Sequence, residues 1–180
     1  MNRRVKFAVA AVAAGVFAAA WGVGAWRDTH PMLATTRHEL KSFKLSVPSA
    51  WPKPEEEGSG VFIHSAQDPR SSLDQYRWSF TIIDDGAKTD PETVIREMRK
   101  DYDEAERMRT IKLGNGLEAR TWVDWQPMGE LNREVRAYVF KGGNGRVYTV
   151  LQPLGRDWRT NRRYTYIFRQ ILESIEFKGA

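Results

Sequence analysis

The chain has 180 residues, with 28 lysines and arginines against 23 aspartates and glutamates, so its formal net charge is +5. Residues 1–26 contribute three positive charges and no acid, which leaves the rest of the chain only weakly basic and argues against nucleic acid as a partner. The chain has no cysteine, which excludes disulfide bonds, thiolate metal sites, cysteine nucleophiles and lipidation of an N-terminal cysteine.

The first 26 residues have the pattern of an export or anchoring segment. Three basic residues precede the uncharged stretch Phe7–Trp26, which as a helix would span about 30 Å, roughly the hydrocarbon thickness of a bilayer. Many of these residues are alanine, and small residues near its end also suit cleavage, so a signal anchor and a cleaved signal peptide both fit. Because Trp21 and Trp26 fit an interfacial belt, we expect an anchor through residues 7–26.

The charge pattern predicts where the rest of the chain lies. The basic N-terminus stays in the cytoplasm, so the following residues are expected on the periplasmic or extracytoplasmic side of the inner membrane. The alternative is a protein that is secreted or periplasmic after cleavage. Residues 27–39, which are mixed and polar, are assigned to a tether, and residues 40–178 have the size of one globular domain.

The first half of the domain predicts three strands and a helix. Alternating apolar residues indicate strands at 43–47, 61–65 and 78–82, with a polar loop at 55–58 and a turn at Asp84–Gly86. The segment Thr89-Asp90-Pro91-Glu92 combines a capping residue, a proline in the first turn and a glutamate three residues after the threonine. This combination predicts the start of a helix.

The second half predicts two hairpins and a closing helix. The hairpins span 111–125 and 133–151, with turns at Gly114–Gly116 and Gly142–Gly145. Trp122 and Trp125 fall on opposite faces of their strand, so one is expected in the core and the other under a helix. Apolar residues at helical spacing predict the closing helix: Tyr164, Ile167, Phe168, Ile171, Leu172 and Ile175. The fold class predicted is α+β, an antiparallel sheet of about six strands covered by helices.

Both ends of the domain resemble the PsbP-like and DcrB-like family. The segment Leu45-Ser46-Val47-Pro48-Ser49-Ala50-Trp51 is similar to the family's VP-x-x-W opening, and Val147–Val150 and Ile171–Phe177 resemble its closing segment. The resemblance covers nearly the whole domain and implies an α/β/α sandwich, preceded here by one N-terminal hydrophobic helix. It also implies an accessory or binding protein without established catalysis. The family's bacterial members are often lipoproteins, from which this cysteine-free chain departs.

Basic and aromatic residues near the C-terminus form the candidate binding surface. They are Arg156, Trp158, Arg159, Arg162 and Arg163. Grouped at the start of the last helix, they suit anionic lipid head groups, a polyanionic wall polymer or an acidic protein surface. A solvated helix face explains the same residues, because the opposite stripe of that helix is apolar.

The sequence contains no motif for catalysis or metal binding. The three histidines, at positions 30, 38 and 64, lack the spacing of metal ligands, so we predict no metal site and no cofactor. Asp84 and Asp85 are the carboxylates best placed to support acid–base chemistry. An enzyme should bring them together with His64 or arginine side chains in a concave pocket.

We therefore predict an exported, membrane-tethered accessory or binding protein of the bacterial cell envelope that has no catalytic activity. Its expected partner is an envelope protein or an anionic envelope ligand. The alternative is an envelope hydrolase or transferase that uses carboxylates such as Asp84 and Asp85.

Overall fold

The computed structural model describes residues 33–65, 78–87, 89–99, 107–128, 131–154 and 158–179, with the backbone alone at 125–128, 131–133 and 158–160. These residues form ten strands and two helices. The strands are β1 (Thr35–Glu39), β2 (Phe43–Pro48), β3 (Glu55–Glu57), β4 (Gly60–His64), β5 (Ser79–Gly86), β6 (Arg109–Lys112), β7 (Glu118–Met128), β8 (Leu131–Lys141), β9 (Val147–Pro153) and β10 (Glu176–Phe177). The helices are α1 (Pro91–Met98) and α2 (Trp158–Glu173).

The strands form two antiparallel sheets. The small sheet has the order β1-β2-β10, and the large sheet has the order β3-β4-β5-β9-β8-β7-β6. The two hairpins predicted at glycine-rich turns are confirmed, since β6 pairs with β7 and β8 pairs with β9. Gly116 and Gly145 have φ angles of 86° and 78°, values that glycine adopts without steric strain.

The large sheet carries an apolar layer on each face. On one face, here named the α2 face, residues of β2 and α2 pack against the sheet, and the buried side chains include Phe43, Phe140, Tyr148, Phe168 and Leu172. On the other face, the α1 face, the buried side chains are Val94, Ile95, Trp122, Ala137, Val139 and Val147. Trp122 is thus the tryptophan covered by a helix, and the side chain of Trp125 lies outside the described residues.

The predicted fold class, an α/β/α sandwich with about six strands, is wrong. The described part of the chain is mostly β, and α2 shares its face of the large sheet with the small sheet. The strands that the sequence analysis misses are β1, β3 and β10, which are short and mostly exposed. A strand that is exposed on both faces has no alternation of apolar residues, so a search for that alternation does not find it. The predicted N-terminal hydrophobic helix lies outside the described residues.

Three element boundaries also differ from the sequence pattern. β1 lies within the segment that the sequence analysis assigns to the tether. β5 continues through the predicted turn at Asp84–Gly86, because these residues still pair with β9 across a bulge. The cap of α1 is Asp90, whose carboxylate accepts a hydrogen bond of 3.2 Å from the backbone N–H of Thr93.

Candidate functional site

The described part of the predicted basic surface lies on α2. Arg162 and Arg163 are exposed, near the start of the helix. Trp158 and Arg159 lie in the first turn, where the backbone alone is described, and Arg156 lies outside the described residues. The helix contains no acidic residue before its last position, so the partial positive charge of its N-terminus adds to that of the arginines.

Beside these arginines, three aromatic side chains from distant parts of the chain form a stack. Tyr164 of α2 stacks on Trp78, with ring centroids 4.5 Å apart and an angle of 16° between the ring planes. Tyr164 also contacts Trp51, with centroids 6.2 Å apart and an angle of 35°. All three residues are half-buried, so part of this aromatic stack faces solvent.

Both tryptophans are held by backbone hydrogen bonds at the ends of core strands. The backbone N–H of Trp51 donates to the carbonyl of Pro48, the last residue of β2, at 2.8 Å. Trp78 directly precedes β5; its N–H donates to Oγ of Ser65 at 3.0 Å, and its carbonyl accepts from the N–H of Ser65 at 2.6 Å. The sheets therefore fix the position of the aromatic stack.

The N-terminal part of the chain reaches the domain at this same end. Thr35, the first residue of β1, pairs with Pro48. The backbone N–H of Ser49 donates to the carbonyl of Ala34 at 2.8 Å. Because Trp51 follows Ser49 by two residues, the chain joins the domain next to the aromatic stack. This end of the domain, with the stack and the two exposed arginines, is named the Trp51 end.

The sequence analysis does not predict the aromatic stack. It assigns Tyr164 to the apolar stripe of the closing helix and Trp51 to the family-like opening, and no spacing in the sequence joins either of them to Trp78. The available signal was weaker: each tryptophan stands beside the end of a predicted strand, where the chain leaves the core. Such a position is compatible with a half-buried ring, but it does not predict which other side chain the ring contacts.

The predicted carboxylates lie at the opposite end of β5. The side chain of Asp84 is 13% exposed and accepts a bifurcated hydrogen bond from the N–H at Nε of Arg146, which lies 2.9 Å from Oδ1 and 2.8 Å from Oδ2. It also accepts one from the hydroxyl of Ser42 at 3.1 Å. Since Arg146 precedes β9 and Ser42 precedes β2, these bonds connect the large sheet to the small sheet.

Asp84 and Asp85 point to opposite faces of the large sheet. Asp84 is paired with Tyr148, whose side chain lies on the α2 face. The carboxylate of Asp85 accepts a hydrogen bond of 2.7 Å from the hydroxyl of Thr149, which follows Tyr148 along β9 and therefore points to the α1 face. His64 ends β4 at the far end of its pairing with β5. The structure therefore does not bring the two carboxylates and the histidine together.

The pKa of the Asp85 carboxyl is raised above its usual range. Partial burial, which disfavours the charged form, is the largest cause; the hydrogen bonds from Thr149 oppose it, and the charge of Asp84 adds to it. The folded state therefore binds a proton at Asp85 more readily than the unfolded state does. The stabilisation that comes from protonated Asp85 is present at low pH and is lost as the pH rises through the folded-state pKa.

Replacing Asp85 with asparagine is therefore expected to raise the Tm at neutral pH and to change it less in acid. Asparagine keeps a carbonyl oxygen that accepts the hydrogen bond from Thr149 but carries no charge to desolvate. Calorimetry of both proteins from neutral to acidic pH measures the difference, with Glu118→Gln as a control that removes an exposed carboxylate. An increase in Tm that is larger in acid than at neutral pH would contradict a raised pKa of Asp85.

Two further observations concern the described residues alone. Neither α1 nor α2 is long and apolar enough to cross a membrane, and the predicted anchor at residues 7–26 lies outside the part of the chain that was described. Within that same part, no group of three histidine, aspartate or glutamate side chains is placed to hold a metal ion.

Comparison with known proteins gives a weak likeness to a solved structure. The chain matches no protein-family model and no curated protein. It is similar to the crystal structure of protein of unknown function PA94 from Pseudomonas aeruginosa, with 14% sequence identity and a TM-score of 0.46 over 78% of this chain and 94% of that one. A likeness at this level carries no argument about fold or function. Membership of the PsbP-like family stays a prediction.

Proposed function

We propose that the chain is an exported accessory or binding protein of the bacterial cell envelope that stays tethered to the inner membrane. Residues 7–26 hold it in the membrane, and the domain works on the extracytoplasmic side without catalysis. Its partner is an envelope protein or an anionic envelope ligand, which it binds through the Trp51 end.

The observation that carries this proposal is the position of the aromatic stack and the two arginines where the chain joins the domain. Aromatic and arginine side chains are enriched at binding surfaces, because they offer a large contact area together with hydrogen-bond donors. A tether that joins the domain at this end keeps the surface close to the membrane. The placement therefore supports a binding role at the envelope.

An envelope hydrolase or transferase that uses Asp84 and Asp85 is the second function to weigh. Acid–base chemistry of that kind needs both carboxylates within reach of one substrate. Asp84 is instead bonded to Arg146, and Asp85 is bonded to Thr149 on the other face of the sheet. No contact among the described residues favours this second function.

Protease treatment of spheroplasts tests the proposed location. In cells that express the full-length protein, we expect added protease to digest the domain without lysis, and the undigested protein to stay in the membrane pellet after alkaline carbonate extraction. Protection of the domain until lysis would contradict export, and release into the carbonate wash would contradict the tether. A control chain with Val12→Arg and Val16→Arg should lose membrane insertion, because each arginine costs about 2.5–3.5 kcal/mol at the centre of a membrane helix.

A further inference from the structure

We propose that the Trp51 end rests directly on the anionic surface of the membrane that holds the tether. The half-buried rings of Trp51, Trp78 and Tyr164 lie at the level of the lipid head groups, and Arg162 and Arg163 bind lipid phosphates. This inference depends on the proposed function, since it names the ligand of the same surface.

The length of chain ahead of the domain limits how far the Trp51 end lies from the membrane. Six residues lie between Trp26, the last residue of the apolar segment, and Leu33, the first described residue, so seven steps from one Cα atom to the next join the two. Even when fully extended they span at most about 25 Å. Ala34 is bonded to Ser49 beside the stack, so the Trp51 end is the part of the domain held nearest to the membrane.

The strand directions place the rest of the domain farther from the membrane than the Trp51 end. β2 runs from Ser42, beside the Asp84 carboxylate, to the turn at Trp51, and its six residues alone span about 20 Å. α2 runs in the opposite sense, from the arginines to Glu173, which accepts a hydrogen bond from the backbone of Gly114 in the turn between β6 and β7. The two ends of the domain are therefore far enough apart for a measurement of distance from the bilayer to distinguish them.

The chemistry of the Trp51 end matches a lipid interface. Tryptophan and tyrosine have an apolar body and a polar tip, and both are enriched where a bilayer meets water. The chain supplies three such rings, with Tyr164 in contact with both tryptophans and each ring partly exposed. Each arginine beside an anionic surface strengthens binding on the order of fivefold, so two of them favour the docked orientation by more than tenfold. A wall polymer lies beyond the membrane surface, and a short tether disfavours it as the ligand.

The absence of cysteine allows a single reporter to be placed at either end. Ala50→Cys lies at the Trp51 end and Glu118→Cys lies at the opposite end, and both positions are exposed. Each full-length variant is labelled with an environment-sensitive nitrobenzoxadiazole dye and reconstituted through its own N-terminal segment. The vesicles contain either phosphatidylcholine alone or equal amounts of phosphatidylcholine and phosphatidylglycerol, with a nitroxide-bearing lipid as quencher.

In vesicles with phosphatidylglycerol, we expect quenching of the dye at position 50 and none at position 118. With phosphatidylcholine alone, or with Arg162→Glu and Arg163→Glu together, the ratio of docked to undocked domain should fall by on the order of tenfold or more. Lys112→Glu and Lys141→Glu together change the net charge equally at the opposite end, where both lysines are exposed, and should leave the quenching unchanged.

Two results would overturn the inference, and they differ in what they say of the proposed function. A chain that alkaline extraction removes from the vesicles refutes the tether and the docking together. A chain that is retained, but whose dye at position 50 is quenched no more than that at position 118, refutes the docking alone. If an isolated anionic wall polymer then retains such a chain, the polymer and not the lipid is the ligand of the Trp51 end.

Discussion

Replacing Phe43 with alanine is expected to lower the free energy of unfolding by about 3–5 kcal/mol. Phe43 is 2% exposed, and its ring packs edge-on against Tyr148 of the large sheet, with centroids 5.8 Å apart, and against Phe177, at 6.4 Å. Its side chain thus joins the small sheet to the large one. Truncation removes these contacts and leaves a cavity that two hydrogen-bonded sheets cannot easily fill.

Urea unfolding of the variant measures this cost, with two controls from the same region. Lys41→Ala changes an exposed side chain two residues away and should alter stability by less than about 0.5 kcal/mol. Phe43→Leu keeps an apolar side chain and should lose clearly less than Phe43→Ala. A loss for Phe43→Ala no larger than that of Lys41→Ala would mean that the small sheet does not pack on the large one as described.

Replacing Trp122 with alanine is expected to cost a similar amount, about 3–5 kcal/mol, on the other face of the sheet. Trp122 is 2% exposed and packs in the cluster that Val94 and Ile95 of α1 share with β8. The variant should also lose the packing of α1, because that short helix buries its apolar residues in this cluster. Circular dichroism during urea unfolding measures both effects.

Trp122→Phe is the matched control for this prediction. Nε1 of Trp122 is buried and has no hydrogen-bond partner among the described residues. A phenylalanine removes that unpaired donor while it keeps a ring in the cluster, so it should cost much less than alanine. Equal losses of unfolding free energy for Trp122→Ala and Trp122→Phe would contradict this account of the α1 face.

The sequence predicts the elements that have one buried face. β2 alternates buried and half-buried residues, and the two hairpins combine such strands with glycine turns. α2 shows the apolar stripe at helical spacing, and Ile175, just beyond its end, is buried as that stripe predicts. In each case burial on one side imposes a period on the sequence, and the period identifies the element.

The edge strands β1, β10 and β3 lack such a period, and β1 and β10 complete the small sheet that changes the fold class. Four of the five residues of β1 are exposed, and all three of β3 are. β10 contributes two residues, held by pairing with Lys44 and Phe43 of β2. Backbone pairing makes these residues extended, with the next strand along the chain for β1 and β3 and with a strand distant in sequence for β10. Exposed side chains show no alternation that would reveal this pairing. The predicted sandwich fails for that reason.

The candidate site was predictable only in part. The exposure of Arg162 and Arg163 follows from the apolar stripe on the opposite side of α2. The contacts of Tyr164 with Trp51 and Trp78 depend on which strand ends meet, which is a property of the topology. Because the sequence analysis interprets Asp84–Gly86 as a turn, it does not consider which face of the sheet each carboxylate occupies. Asp84 is paired with Tyr148 and Asp85 is bonded to Thr149, and these neighbours on β9 point to opposite faces, which separates the two carboxylates.

The most direct test of a tethered, exported domain is the mass of the intact protein extracted by mild detergent from its native membrane. The account predicts a chain that retains residues 7–26, recovered from the membrane fraction with the domain attached. A mature protein that begins between residues 20 and 27 would contradict it. Such a protein would have no anchor to hold the Trp51 end at the membrane surface.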